Sequence, residues 1–108
     1  MAVFTIRARR RYAVRQMVNL CKAGGRRAQG LLIELSSEGC RISNLKRGQH
    51  LVGDTVAVEI GDVTLQGRVY WAHGGVAGVR LDNALFSSQL AELVAIGRCE
   101  HEIARYGT

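Results

Sequence analysis

Short runs in which apolar and polar residues alternate, each ended by glycine, dominate the sequence between residues 16 and 82. A period of two places successive side chains on opposite faces of an extended strand. The longest run is VTLQGRVYW at residues 63–71, and glycine-containing turns lie at residues 24–25, 61–62 and 74–75. About six such strands in a chain of 108 residues predict an all-β body, a small antiparallel barrel or sandwich.

The composition is that of a single folded domain with its own core. Hydrophobic residues make up 47% of the chain and charged residues 22%, which argues against intrinsic disorder. No apolar run exceeds four residues, so no transmembrane helix is expected. Because no apolar signal segment precedes the first arginines, we expect a cytoplasmic location, with Cys21, Cys40 and Cys99 as free thiols that pack as small hydrophobic side chains.

The alternation also predicts which residues share a face. Leu31, Ile33 and Leu35 are expected on one face of the second strand, and residues 36–39 then reverse the chain in a tight hairpin. In the longest run, one face is expected to carry Val63, Leu65, Gly67, Val69 and Trp71.

After residue 82 the apolar spacing changes to that of a helix. Ser87 or Ser88 can cap its amino end, and Gly97 is expected to weaken it by up to ~1 kcal/mol relative to alanine. The stripe predicts packing against the barrel in a monomer, with a contact in a weak homodimer as the alternative. Its expected members are Leu90, Leu93, Val94, Ile96, Cys99, Ile103 and Tyr106.

Positive charge is concentrated near the amino end. Eight of the 15 Lys and Arg residues precede Glu34, the first acidic residue. Residues 1–10 are predicted to be a flexible basic arm, residues 11–86 the barrel and residues 87–108 the C-terminal helix. The basic segment should bind phosphate or carboxylate, in nucleic acid, an anionic membrane surface, an acidic protein or a small phosphorylated ligand.

Catalytic and metal-binding patterns are absent from the sequence. His50, His73 and His101 accompany no nucleophile motif and no H-E-x-x-H, and the cysteines form no C-x-x-C pair. No glycine-rich loop has the spacing of a phosphate-binding loop. The chain is therefore not expected to be an enzyme or to hold a metal or cofactor.

Two groups of residues remain as candidates for a binding site. The first is the segment RRYAVR, which contains Arg10 and in which Arg11 and Arg15 form R-x-x-x-R. A guanidinium group can bind a phosphate or the O6/N7 edge of guanine through two parallel hydrogen bonds. The alternative interpretation of this segment is a solvated basic tail.

The second group is Glu34-x-Ser36-x-x-Gly39 in the predicted hairpin turn. The Glu34 carboxylate can accept hydrogen bonds from N1 and N2 of guanine, and the Ser36 hydroxyl can bond to a base edge or a phosphate. Gly39 permits a tight chain reversal. The alternative interpretation is an ordinary exposed turn, which uses the same residue types.

Taken in order, these segments resemble the PilZ domain family. R-x-x-x-R is followed after 18 residues by ELSSEGCRI, then by VYW and by GVRL, and the resemblance covers about residues 10–93. Many members bind the bacterial second messenger cyclic di-GMP. The resemblance implies an all-β fold, a small six-stranded antiparallel split barrel with one C-terminal α-helix.

The resemblance also implies roles for individual residues. Arg11 and Arg15 would hold the phosphates and guanine, and Ser36 and Gly39 match the family's second motif, Asp or Asn followed by x-Ser-x-x-Gly. Glu34 departs from that motif by one methylene group, which is expected to weaken binding about tenfold, roughly the value of one hydrogen bond. The implied protein is a cytoplasmic cyclic di-GMP receptor without catalytic activity, which signals to a downstream protein and binds neither nucleic acid nor membrane.

Two other functions stay open. The basic segment could bind single-stranded nucleic acid, although aromatic residues, 6% of the chain, lie near these arginines only at Phe4 and Tyr12. Alternatively, a PilZ-like domain could act as a protein-interaction adaptor that binds no nucleotide, with Glu34 as the mark of that change.

Overall fold

The computed structural model describes residues 10–25, 27–46 and 50–106, with side chains as far as Arg98. Within these ranges, six strands are followed by one helix. The strands are β1 (Tyr12–Lys22), β2 (Arg27–Leu35), β3 (Gly39–Ser43), β4 (Thr55–Ile60), β5 (Val63–His73) and β6 (Val76–Leu81), and the helix is α1 (Ser87–Tyr106).

The six strands close into a barrel in the order β1-β2-β3-β6-β5-β4. Every pairing is antiparallel. Closure depends on β1, which pairs with β2 along most of its length and with β4 from Asn19 to Lys22. The prediction of an all-β, six-stranded antiparallel barrel with one C-terminal helix is therefore confirmed.

The barrel interior is filled by one apolar face of each strand. In β4 the alternation is unbroken, and Val56, Val58 and Ile60 are buried as the sequence predicts. The hairpin between β2 and β3 also forms where it is predicted. The largest fully buried side chains are Leu20, Leu32, Leu35, Ile42, Ile60, Val56, Val58, Val69 and Val79.

A β-bulge overturns the predicted face of β2. The register of β2 against β3 is interrupted between Leu32 and Glu34. Leu32 and Leu35 are buried, whereas Leu31 and Ile33 are only partly buried. Since one extra residue in a strand changes which side chains face the core, the prediction that Leu31, Ile33 and Leu35 share a face was wrong.

A second irregularity lies in β5, between Val69 and Trp71. The predicted buried face of β5 is confirmed at Leu65, Gly67 and Val69. It is wrong at Val63, which is 38% exposed, and at Trp71, which is 40% exposed. Tyr70 is 48% exposed. The bulge therefore leaves two neighbouring aromatic rings on the outer surface of the barrel.

The amino end of α1 is capped differently from the prediction. The backbone N–H of Phe86 donates to Oε1 of Gln89 at 2.9 Å, and the carbonyl oxygen of Phe86 accepts from the N–H of Leu90 at 3.0 Å. Phe86 is therefore the residue before the first helical turn, and Ser87 already belongs to the helix. The glutamine supplies the reciprocal half of a capping box.

α1 packs on β1 through a direct contact between helix backbone and strand. Leu93 and Val94 are buried as predicted, but Ile96 is 49% exposed and buried Gly97 takes its place on the inner face. A Cβ atom at Gly97 would lie 2.8 Å from Cβ of Val14. Gly97 is thus a packing residue and not simply a weak point of the helix. The side chains of the other residues expected in the apolar stripe lie outside the described part of the structure; these residues are Cys99, Ile103 and Tyr106.

Candidate ligand-binding surface

The amino end of β1 lies beside the hairpin formed by β2 and β3. Tyr12 pairs with Leu35 and Ala13 pairs with Glu34. These pairings place the start of the basic segment and the carboxyl end of β2 on adjacent strands. The structure therefore brings the two predicted groups of residues to the same end of the barrel.

The three predicted arginines are exposed at this end. Arg10 and Arg11 directly precede β1, and Arg15 lies within it, at the register irregularity between Ala13 and Gln16. Among the described residues, none of the three guanidinium groups has an ion-pair partner. The rest of the predicted basic arm, residues 1–9, lies outside the described residues. The arginines give this end of the barrel a positive surface that attracts anions.

Ser36 holds the turn between β2 and β3. Its Oγ accepts hydrogen bonds from the backbone N–H groups of Glu38 at 3.3 Å and Gly39 at 3.2 Å. The same hydroxyl donates to the carbonyl oxygen of Gly39 at 3.3 Å. In this arrangement the hydroxyl hydrogen is used inside the turn, so Ser36 shapes the surface on which a ligand would rest.

Gly39 opens β3 and lies close against β6. A Cβ atom at this position would lie 2.6 Å from the carbonyl oxygen of Val79. Gly39 does not have a positive φ. Gly39 closes the turn, since its carbonyl oxygen accepts from the N–H of Ser36 at 2.9 Å, and its missing side chain lets the backbone of β6 approach.

Glu34 faces outward and pairs with a residue that the sequence analysis did not single out. Its Oε1 lies 3.5 Å from Nε of Arg41, and both side chains are partly exposed. The guanidinium carbon of Arg41 lies 5.4 Å from the ring centroid of Trp71. A carboxylate, a guanidinium group and an indole ring thus form one row on the outer surface.

Gly78 of β6 lies between Arg41 and Trp71 in the strand register. A Cβ atom there would lie 2.8 Å from Cε1 of Tyr70, so the tyrosine ring lies against this glycine. The guanidinium carbon of Arg80 lies 5.5 Å from the centroid of that ring. Each exposed aromatic ring on β5 is therefore accompanied by an arginine in cation–π geometry.

The bulge in β5 hides this aromatic part of the surface from prediction by sequence pattern. Strict alternation from Val69 predicts Trp71 in the core, and no local signal marks the interruption. Arg41 could have been found, since it pairs with Glu34 across a hairpin that the sequence predicts. Arg41 lies two residues after Gly39 of the turn, between the apolar residues Cys40 and Ile42. An arginine at such a position of an alternating strand indicates the outward face.

Among the described residues, no group of three or more His, Cys, Asp or Glu side chains could hold a metal ion. Cys40 is buried, and burial raises the pKa of its thiol to about 12, so it packs as the sequence predicts. Cys21 is only partly buried. No helix in the described part of the chain is both long and apolar enough to cross a membrane.

Comparison with known proteins supports the assignment of the fold. No family model and no curated protein matches the sequence. The fold matches the crystal structure of the PilZ domain of CeSA from a cellulose synthesizing bacterium, with a TM-score of 0.60 and 17% sequence identity. The match covers 86% of this chain and 98% of that chain. The chain therefore has the fold of a PilZ domain.

Proposed function

We propose that the chain is a receptor domain for cyclic di-GMP, without catalytic activity of its own, which passes ligand binding on to a protein partner. The observation that carries the proposal is the pairing of Ala13 with Glu34. On a barrel of PilZ fold, it sets the exposed arginines at the amino end of β1 beside the Glu34-x-Ser36-x-x-Gly39 turn.

The arginines supply most of the expected affinity. Arg11 and Arg15 are exposed and carry no ion pair among the described residues, so binding a phosphate breaks no existing salt bridge. A hydrogen bond to a charged group contributes about 1.5–3 kcal/mol, against about 0.5–1.5 kcal/mol for a neutral one. Two arginine contacts therefore outweigh an imperfect contact elsewhere in the site.

Glu34 can change partners at small cost. Its ion pair with Arg41 is partly exposed at 3.5 Å, and such pairs are worth about 0–1 kcal/mol. The carboxylate can therefore turn from the guanidinium group to the N1 and N2 hydrogens of a guanine. Its extra methylene group, compared with aspartate, makes that contact less well aligned.

The aromatic residues offer a second kind of contact. Trp71 is 40% exposed beside Arg41, and stacking of a base on an aromatic ring is worth about 1–3 kcal/mol. A purine held by its edge at Glu34 would lie on the same outer surface as this ring. The surface thus combines charge, edge recognition and stacking, which a guanine dinucleotide requires.

Calorimetric titration of the purified chain with cyclic di-GMP tests the proposal. We expect saturable binding, and we expect Arg15→Ala to weaken it about tenfold to a hundredfold through loss of a charged contact. Arg27→Ala is the matched control, because Arg27 is also exposed but lies at the far end of the same strand pair, opposite Cys21. Absence of heat at high micromolar ligand, or unchanged affinity in Arg15→Ala, would overturn the proposal.

One observation favours a second candidate, the binding of single-stranded nucleic acid. Tyr70 and Trp71 are exposed and each has an arginine close to its ring, which adds aromatic residues to the arginine-rich surface. Retention of a labelled oligonucleotide and of labelled cyclic di-GMP, compared at two salt concentrations, separates the two. Tight retention of the oligonucleotide that falls steeply with salt, with none of the cyclic dinucleotide, would favour nucleic acid.

A further inference from the structure

A cleft lies between the C-terminal helix and the outer surface of the barrel, next to the candidate surface. Its volume is about 340 Å³. Arg15 of β1 belongs to both the cleft and the candidate surface. The residues that line the cleft are Ala13, Val14, Arg15, Leu31, Ile33 and Arg98.

Two contacts between α1 and β1 hold Arg98 in place. Its guanidinium carbon lies 5.6 Å from the ring centroid of Tyr12, which packs against the core. The preceding residue, Gly97, has its backbone directly against Val14, where a Cβ atom would lie 2.8 Å from the valine Cβ. The helix therefore presents this arginine at a defined position beside β1.

The chemistry of the cleft is that of a site for an anion with an apolar body. Arg15 and Arg98 both line it, and neither has an ion-pair partner among the described residues. Leu31 and Ile33, left partly exposed by the bulge in β2, form its apolar wall. A phosphate would reduce the repulsion between the two guanidinium groups, and a purine or ribose would cover the apolar wall.

We infer that Arg98 is a further arginine of the ligand site, which contacts the same bound nucleotide as Arg15. The inference rests on the proposed binding of cyclic di-GMP. Small-molecule sites have volumes of about 300–1,000 Å³, so the cleft has room for part of a cyclic dinucleotide, and the rest lies over the open surface near Glu34. The ligand then bridges β1 and α1. Its binding should therefore hold the C-terminal helix more firmly on the barrel.

Calorimetry with cyclic di-GMP on charge variants tests the inference. We expect Arg98→Ala to weaken binding about tenfold to a hundredfold, as for one charged contact. Arg98→Glu, which keeps a good helix former, should weaken it further. Arg27→Ala and Arg27→Glu make the same charge changes at the far end of the β1–β2 pair and should leave the dissociation constant within about twofold of the wild type.

A further variant and a second readout separate a direct contact from an indirect one. Tyr12→Leu removes the ring beneath Arg98 and keeps the charge, so it should change affinity much less than Arg98→Ala. Amide hydrogen exchange of α1 should slow when cyclic di-GMP is added to the wild type, and should not slow in Arg98→Ala at the same ligand concentration.

Each result decides between the inference and its alternatives. If Arg15→Ala weakens binding and Arg98→Ala does not, the inference is wrong and the proposed function stands. If Tyr12→Leu reproduces the loss seen in Arg98→Ala, the arginine acts through the tyrosine ring and the inference is also wrong. If the wild type binds no cyclic di-GMP, the proposed function fails and the inference fails with it.

Discussion

At the scale of single residues, Glu34 is the most informative position of the candidate surface. It stands where the resemblance calls for aspartate or asparagine, and its carboxylate reaches Arg41 only at 3.5 Å. A glutamate in this place keeps both acceptor oxygens but moves them by about one bond length, more than the ~0.5 Å that binding sites generally tolerate. If the chain binds cyclic di-GMP as proposed, Glu34 is therefore expected to lower the affinity without abolishing binding.

Glu34→Asp should tighten the binding of cyclic di-GMP about tenfold, because the shorter side chain restores roughly one well-made hydrogen bond. Titration calorimetry of the variant measures this. Glu59→Asp is the matched control, since Glu59 also forms a partly exposed ion pair, with Arg27 at 3.3 Å. Unchanged or weaker binding in Glu34→Asp would contradict the expectation. Binding that appears only in Glu34→Asp would identify the native chain as an adaptor that does not sense nucleotide.

At the scale of secondary-structure elements, two β-bulges and one helix contact decide what the candidate surface contains. The irregularity in β2 turns Ile33 toward the cleft, and the one in β5 turns Trp71 outward. The contact of Gly97 with Val14 then sets the distance between α1 and β1. Together with the irregularity of β1 between Ala13 and Gln16, these features shape the candidate surface.

Gly97→Ala should lower the free energy of unfolding by about 1–2 kcal/mol, since the new methyl group would overlap Val14 and overpacking typically costs ~1–3 kcal/mol. The higher helix propensity of alanine, worth up to ~1 kcal/mol, offsets only part of this cost. In a Val14→Gly background the same substitution should instead stabilise the protein, because only the propensity gain remains. Urea unfolding of the four proteins gives the coupling energy of this cycle. Equal effects in both backgrounds would show that the two residues do not interact.

The sequence predicts only part of the candidate surface. The order of motifs places Arg15 and Glu34 together because adjacent antiparallel strands of a hairpin-rich barrel usually pair. Arg98 escapes prediction, since its position depends on how α1 docks on β1. Trp71 escapes it too, because one unpaired residue in β5 reverses the alternation that sequence patterns rely on.

At the scale of the whole molecule, β1 separates two chemically different ends of the barrel. Its 11 residues span about 33–37 Å at roughly 3.3 Å per residue. The arginine-rich surface lies at its amino end. At its carboxyl end, Lys22 pairs with Asp54 at 3.4 Å, near buried His50, whose Nδ1 has no hydrogen-bond partner among the described residues.

This second end makes stability depend on pH. Burial, and next the charge of Lys22, hold the pKa of His50 below its ordinary value of 6.5, while Asp54 acts in the opposite direction. As the pH falls, His50 is protonated in the unfolded chain before it is protonated in the folded chain. The contribution of His50 to stability is therefore present above pH 6.5 and is lost as the pH falls below that value.

The free energy of unfolding should therefore be lower at about pH 5.5 than at about pH 7.5, and His50→Gln should show a smaller difference. Urea unfolding at the two pH values measures the effect. His73→Gln, which makes the same substitution at an exposed histidine, is the matched control. An equal difference in the wild type and in His50→Gln would assign the pH dependence to other groups.

The sequence by itself determined the strands, the hairpin, the helix and the core face of β4, because alternation and turn chemistry are local properties that each segment carries along its own length. The order of the arginine pair and the serine-glycine turn likewise predicts which two segments meet. Only the tertiary structure decided that Trp71 and Ile33 face outward and that Arg98 lies in the same cleft as Arg15. These features depend on cross-strand register and helix docking, which are set by contacts between residues far apart in the chain, so no single segment encodes them.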